Sequence, residues 1–146
     1  QFPQAKLLPT TLEDPLSIEG LSDLIWCGSQ LHPMVRQLLK PEFYSTGDPT
    51  GVRTAGEKQI SDVATSLQKK LTNQDWWYGE KWSIVDVYLT WIIDTAIVSG
   101  FNFDNWAALL DYRERVRSRT SFRQALSLEN QALVTIDMQL PPGVTL

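Results

Sequence analysis

Few side chains in this 146-residue sequence can do chemistry, and most of those occur singly. His32 is the lone histidine, set just before Pro33, where an imidazole could donate to a ligand or titrate near neutrality. It reads more readily as a helix-surface or packing histidine. Cys27, the lone cysteine, follows Trp26 with no flanking cation to depress its pKa, and reads as an inert structural thiol. One histidine and one cysteine cannot build a zinc site of the usual cysteine and histidine type. There is no Walker loop, dinucleotide fingerprint or Gly-x-Ser-x-Gly elbow, which argues against phosphate cradling and triad hydrolysis.

The carboxylates say more. Ser83 and Asp86 have the spacing of a capping box, in which serine is the N-cap and the acid three positions on returns a bond to the serine amide. Trp82 and Val87 flank the box at the spacing of a hydrophobic staple. Asp86, Thr90 and Asp94 recur every four residues and share a helix face. Asp94 sits in an otherwise apolar helix, so it needs either an arginine partner or the wet wall of a polar pocket. Arg113, Arg115, Arg117, Arg119 and Arg123 alternate in sequence, which scatters them around a helix. They read as a solvated helix end.

The element that must carry the box is the run from Ile84 to Val98, apolar on nearly every face, which predicts a buried central helix. Before it, Asp14-Pro15 caps a first helix with apolar positions Leu21, Leu24, Ile25, Leu31, Val35, Leu38 and Leu39, running to about Lys40. Pro33 predicts a kink in that helix rather than a break. Pro41 to Gly51 is a loop, and a second long helix has the stripe Ile60, Val63, Ala64, Leu67 and Leu71. The turn Trp76 to Lys81 has Gly79 available for a positive φ. Gly100 ends the central helix, and Asn102 to Asn105 offers a cap for a helix through Trp106, Leu109, Leu110 and Val116. Asp111 and Arg115 are spaced as an i,i+4 pair. A last short helix carries Phe122, Ala125 and Leu126, and Leu133 to Met138 is the one segment that could be a strand. Residues 1–12 read as a linker arm, 13–134 as one helical domain and 135–146 as an extended tail.

Composition sets the outer limits. The length suits one domain with a core that needs no disulfide. Six tryptophans predict an aromatic-rich core. With 13 basic against 17 acidic side chains the formal charge is −4, which disfavours a nucleic-acid surface. The apolar run is too short for a membrane span and contains two aspartates, there is no signal peptide, and the lone cysteine favours a reducing, cytoplasmic setting. A start on Gln1 rather than Met suggests that a segment upstream has been removed.

These motifs occur in an order that resembles a known family. Leu31-His32-Pro33 in a kinked helix, a long second helix, Trp77-Tyr78-Gly79-Glu80, Trp82-Ser83-Ile84-Val85-Asp86 and Arg119-Thr120-Ser121-Phe122 resemble the C-terminal helical domain of cytosolic glutathione transferases. The resemblance spans roughly residues 12 to 128. Ser29-Gln30-Leu31-His32 looks most like the bacterial beta-type members, in which the corresponding histidine borders the glutathione site and a lysine often stands where this chain has Pro33. The resemblance implies an all-α bundle of five or more helices with no catalytic residue of its own. The family's thioredoxin-like N-terminal half, matched nowhere in this sequence, binds the cosubstrate glutathione and usually supplies the activating side chain. It further implies a homodimer, and a wall for a small hydrophobic electrophile made by Ser29, Gln30, His32, Val35, Tyr88, Trp91 and Thr95. The competing reading is a non-catalytic interaction or scaffold module with the same fold.

Overall fold

The computed structural model describes residues 3–5, 7 and 15–135. Six α-helices follow one another: α1 (Pro15–Trp26), α2 (His32–Leu39), α3 (Thr50–Leu71), α4 (Ile84–Val98), α5 (Ala107–Arg117) and α6 (Thr120–Thr135). A π-helical turn over Cys27–Leu31 joins α1 to α2 with helical dihedrals on both sides, so the first rod bends without breaking. The kink expected at Pro33 thus takes the form of a widened turn just ahead of the proline.

Helix α4 is the centre because it has no polar face to offer water. Val85, Leu89, Ile92, Ile93 and Ala96 are buried, as are the polar Asp86 and Thr90. Against it pack Cys27, Leu31, Val35 and Leu38 from the first rod and Leu109, Tyr112 and Val116 from α5, while Ile60, Ala64, Leu67 and Leu71 of α3 extend the same core against α2 and α5. Against α2, α3 presents Gly56, where a Cβ would lie 3.1 Å from the Gln37 Cβ and 3.2 Å from a Leu38 methyl. A side chain there would push the two helices apart.

Arg53 ties three helices together from α3. Its Nη1 donates to the Leu38 carbonyl at 3.0 Å, its Nη2 to the Ser99 carbonyl at 2.6 Å, and its Nε to Glu57 at 3.0 Å. Leu38 lies in the last turn of α2 and Ser99 caps the end of α4. One guanidinium therefore meets the unpaired carbonyls of two helix C-termini. Arg53→Ala is expected to lower the folding free energy by about 1–2 kcal/mol, since such charge-assisted bonds are the stronger kind and this one is partly exposed. Arg53→Lys should recover less than half, because a single ammonium cannot span both carbonyls. Urea denaturation of the two variants checks this.

Several local expectations are corrected. Helix α3 begins at Thr50, so Gly51 belongs to its first turn, and Asp48 starts it by accepting the Thr50 amide at 2.9 Å and hydroxyl at 2.6 Å. Asn102 accepts the Asp104 amide at 2.6 Å, capping a turn rather than α5, whose N-cap is Trp106. Arg115 donates to the Asp75 carbonyl at 2.8 Å, across to the loop after α3, instead of along its helix to Asp111. Leu133 to Thr135 continue α6, which is longer than expected, and the rest of the suggested strand lies outside the described residues. So do the Asp14 cap, most of the linker arm and the tail beyond Thr135. Of the arm, residues 3–5 form a 3₁₀ turn and the Leu7 carbonyl accepts the Ile84 amide at 2.9 Å, satisfying one of the free donors at the start of α4.

Candidate functional site

The start of α4 is built on one buried carboxylate. Asp86 Oδ2 accepts the Ser83 amide at 2.7 Å and the Ser83 hydroxyl at 3.1 Å, while Ser83 Oγ accepts the Val85 amide at 3.2 Å. The other oxygen, Oδ1, accepts the Trp77 amide at 2.7 Å and the Tyr112 hydroxyl at 2.8 Å. The cap of α4, the aromatic turn and the middle of α5 thus converge on a single side chain. Trp77 is held from the other side: its Nε1 donates to Asp23 at 2.6 Å, and Tyr78 donates to the same oxygen at 2.9 Å. Trp26 stacks on Trp77 at 6.0 Å between centroids, with the Lys70 ammonium 3.6 Å from the centre of the Trp77 ring. Gly79 has φ +74°, the value the tight return from Trp76 to Gly79 requires. Of the flanking pair, Trp82 lies 4.2 Å beneath the Arg119 guanidinium and Val87 lines a groove.

That groove is where α2 meets α4. His32, Ile84, Val87, Tyr88 and Trp91 line a hollow of about 270 Å³. The His32 and Trp91 rings lie 4.5 Å apart, Tyr88 stands edge-on to Trp91 at 5.9 Å, and His32 Nδ1 is 2.9 Å from the Tyr88 hydroxyl. Burial, with Cys27 adding to it, holds the Tyr88 phenol above its ordinary pKa, so the hydroxyl keeps its proton at neutral pH. That hydroxyl can donate to His32 Nδ1 or accept from it, as the ring's tautomer dictates. The wall is therefore aromatic with one hydrogen-bonding edge.

The expected wall residues are distributed unevenly. His32, Tyr88 and Trp91 come together in the groove. Ser29 and Gln30 are exposed on the π-turn, and Thr95, one turn beyond Trp91, is almost wholly buried. Val35 has no exposed surface and belongs to the core, a correction to its expected place on the cleft. Two positions on the loop side were missed, since Ile84 and Val87 line the groove although the apolar run marks them only as helix core. Nothing in the sequence turns either toward a cleft, although Val87 is also marked as one half of a staple. A larger hollow of about 480 Å³ lies over Leu71 to Asp75, Gly79, Glu80 and Arg115, but the cation in it is already bonded to Asp75.

The arginines are not a solvated helix end. Arg113 and Arg117 both donate to Asp94, the latter at 2.7 Å, which settles that carboxylate's environment as a paired one. Arg119 lies between Trp76 and Trp82, its guanidinium 5.4 Å and 4.2 Å from their ring centres. Arg123 alone of the five is exposed on α6.

Among the described residues the groove lining holds no cysteine, serine or lysine. Cys27 is buried beneath it, and burial, aided by Asp23, pushes its thiol up to about 12. Tyr112 is raised by burial and then by Asp86, and Tyr78 by burial and then by Asp23. All three are acids whose folded pKa lies above the unfolded value. Their contribution to stability is complete below the unfolded pKa, about 8.5 for the thiol and about 10 for the phenols, and is lost as pH rises through the folded values. The urea midpoint is expected to fall from pH 9 upward. Tyr112→Phe should flatten that fall while lowering the midpoint at pH 7. Among the described residues no three histidine, cysteine or acidic side chains are placed to hold a metal ion, and no helix is long and apolar enough to cross a membrane.

No protein-family model and no curated protein matches the chain. Solved structures do. The bacterial glutathione transferase BphK, determined as a ternary complex, superposes with a TM-score of 0.77 at 18% identity over 88% of this chain. The fold is that of the C-terminal helical domain of glutathione transferases. A sphingomonad glutathione S-transferase complexed with glutathione gives a TM-score of 0.75 at 24% identity over 88% of this chain, and the beta-class enzyme of Sphingomonas chungbukensis gives 0.75 at 24% over 87%. The chain spans 61% of the first two proteins and 60% of the third. Within this fold the Asp86 network is an internal frame, and the His32, Tyr88 and Trp91 groove lies at the surface.

Proposed function

We propose that this chain is the C-terminal helical part of a glutathione transferase-like protein, in which the groove between α2 and α4 walls the pocket for a small hydrophobic electrophile. The observation that carries this reading is the groove itself, aromatic and apolar except for the His32 and Tyr88 edge, on a fold whose solved counterparts are glutathione transferases. Such a surface suits a flat apolar ligand with one hydrogen-bonding group. Glutathione and the side chain that activates its thiol belong, in this reading, to a thioredoxin-like domain of the same parent, and the parent works in the cytoplasm as a homodimer. The chain alone is then catalytically incomplete.

Two measurements on the 146-residue chain test this. Tryptophan fluorescence should quench saturably with 1-chloro-2,4-dinitrobenzene, and Trp91→Ala together with His32→Ala should weaken that binding at least fivefold. Conjugation of the same halide to glutathione should stay at the uncatalysed rate. Turnover well above that rate refutes catalytic incompleteness, and the absence of saturable quenching refutes the groove as a ligand wall.

A second reading, a non-catalytic interaction module with this fold, draws on a different observation. Ile18, Leu21 and Ile25 recur on one face of α1 and are 69%, 56% and 58% exposed. Three large apolar side chains in such a row are a surface that association would cover. Loss of self-association on replacing Ile18 and Ile25 with glutamate would fit either reading, so the ligand titration is what separates the two.

A further inference from the structure

We infer that Pro33 is a positioning residue for the groove: it holds the Cys27–Leu31 turn in its π form, and that widened turn carries His32 onto Tyr88. The inference rests on the groove as read above, but the geometry behind it needs no ligand. The His32 amide donates to the Cys27 carbonyl, five residues back, instead of to Gly28. Pro33 has no amide to give the Ser29 carbonyl, and its ring crowds that carbonyl in a regular α-turn. The dihedrals at Trp26 (−59°, −46°), Leu31 (−66°, −41°) and His32 (−61°, −49°) stay helical, so the crowding is relieved by widening the turn and not by breaking the rod.

The widening has a consequence for which side chains line up. Cys27, Leu31 and Val35 are spaced by four and then four, and all three are 0% exposed. A π-turn holds more residues per turn than an α-turn, and so resets the direction in which the side chains after it point. With Leu31 and Val35 kept on the core line, His32 is brought round to the side facing α4, where its Nδ1 is 2.9 Å from the Tyr88 hydroxyl. The turn backbone itself lies against that hydroxyl, since a Cβ on Gly28 would sit 3.6 Å from it. The Tyr88 oxygen thus meets the turn at Gly28 and the residue the turn delivers, His32.

The wild-type chain gives the first test. A through-hydrogen-bond NMR coupling from the His32 amide is expected to the Cys27 carbonyl, and a coupling to Gly28 instead overturns the proposal without any mutation. The second test is Pro33→Ala, which restores a donor to Ser29. Helical circular dichroism should be retained, the NOE between the His32 and Tyr88 rings should be lost, and the dissociation constant for 1-chloro-2,4-dinitrobenzene should rise at least fivefold, with no further rise on adding His32→Ala. An unchanged NOE overturns the proposal. A lost NOE with unchanged affinity leaves Pro33 as the positioning residue and refutes the groove as the binding wall. Should Pro33→Ala fail to fold, the wild-type coupling decides.

Discussion

Asp86→Ala is expected to remove about 3–5 kcal/mol of folding free energy, a large share of the roughly 5–15 kcal/mol a domain of this size possesses. Four donors end on this side chain: the Ser83 and Trp77 amides and the Ser83 and Tyr112 hydroxyls. Truncation leaves them in a site with 0% exposure, where no solvent replaces the lost acceptor. Each orphaned group costs about 1–3 kcal/mol, and the four costs sum to less than their total because they share one partner. The helix dipole at the start of α4 loses its anion as well. Asp86→Asn is the sharper variant. It keeps one oxygen for Trp77 and Tyr112 but turns an amide nitrogen toward the Ser83 amide, donor against donor. Its cost should fall between a third and two-thirds of the alanine value. Urea unfolding at pH 7 measures both, and a loss below about 1 kcal/mol for alanine would mean that the three elements do not depend on this carboxylate.

The Asp86 network also shows where a sequence stops being readable. The bond between Ser83 and Asp86 spans three residues and follows from helix geometry alone. The bonds from Trp77 and Tyr112 span nine and 26 residues, and no local pattern encodes them. Tyr112 carries no mark in the sequence that sets it apart from an exposed helical tyrosine, yet it is fully buried. The same division runs through the groove. Pro33 announces a bend, because its missing amide is a property of one residue. The bend's form depends on what Cys27, Leu31 and Val35 must pack against, and that is set by α4. The resemblance to glutathione transferases pointed to His32, Tyr88 and Trp91, which do share a surface. The same resemblance placed Val35 with them, whereas Val35 is fully buried in the core. The arginines fail for a further reason. Alternate positions do fan around α5, but the fan meets α4, the loop at Asp75 and the two tryptophans rather than water.

Asp94→Ala follows from that last point, with an expected loss of about 2–3 kcal/mol. Asp94 is the one acid among the apolar side chains of α4's middle turns, and it stands opposite two cations of α5. Arg113 donates to its Oδ1 and Arg117 to its Oδ2 at 2.7 Å. The side chains are 21%, 21% and 17% exposed, too dry for water to take over fully and too wet for the whole penalty of a buried unpaired charge. Truncation leaves two guanidiniums four residues apart on one helix face with only Glu114, itself exposed, still bonded to Arg113. Repulsion between them strains this stretch of α5, and the tie from α5 to α4 is lost. That strain would reach the Tyr112 bond to Asp86, since Tyr112 immediately precedes Arg113. Coupling is therefore expected: the double variant with Asp86→Ala should lose at least 1 kcal/mol less than the sum of the single losses. Adding Arg113→Met and Arg117→Met to Asp94→Ala should recover most of the stability, because an apolar replacement of a whole ion cluster is close to neutral whereas removal of one sign is not. Failure of that rescue, with the single loss confirmed, would show that Asp94 acts through its own packing and not by holding α5 to the central helix.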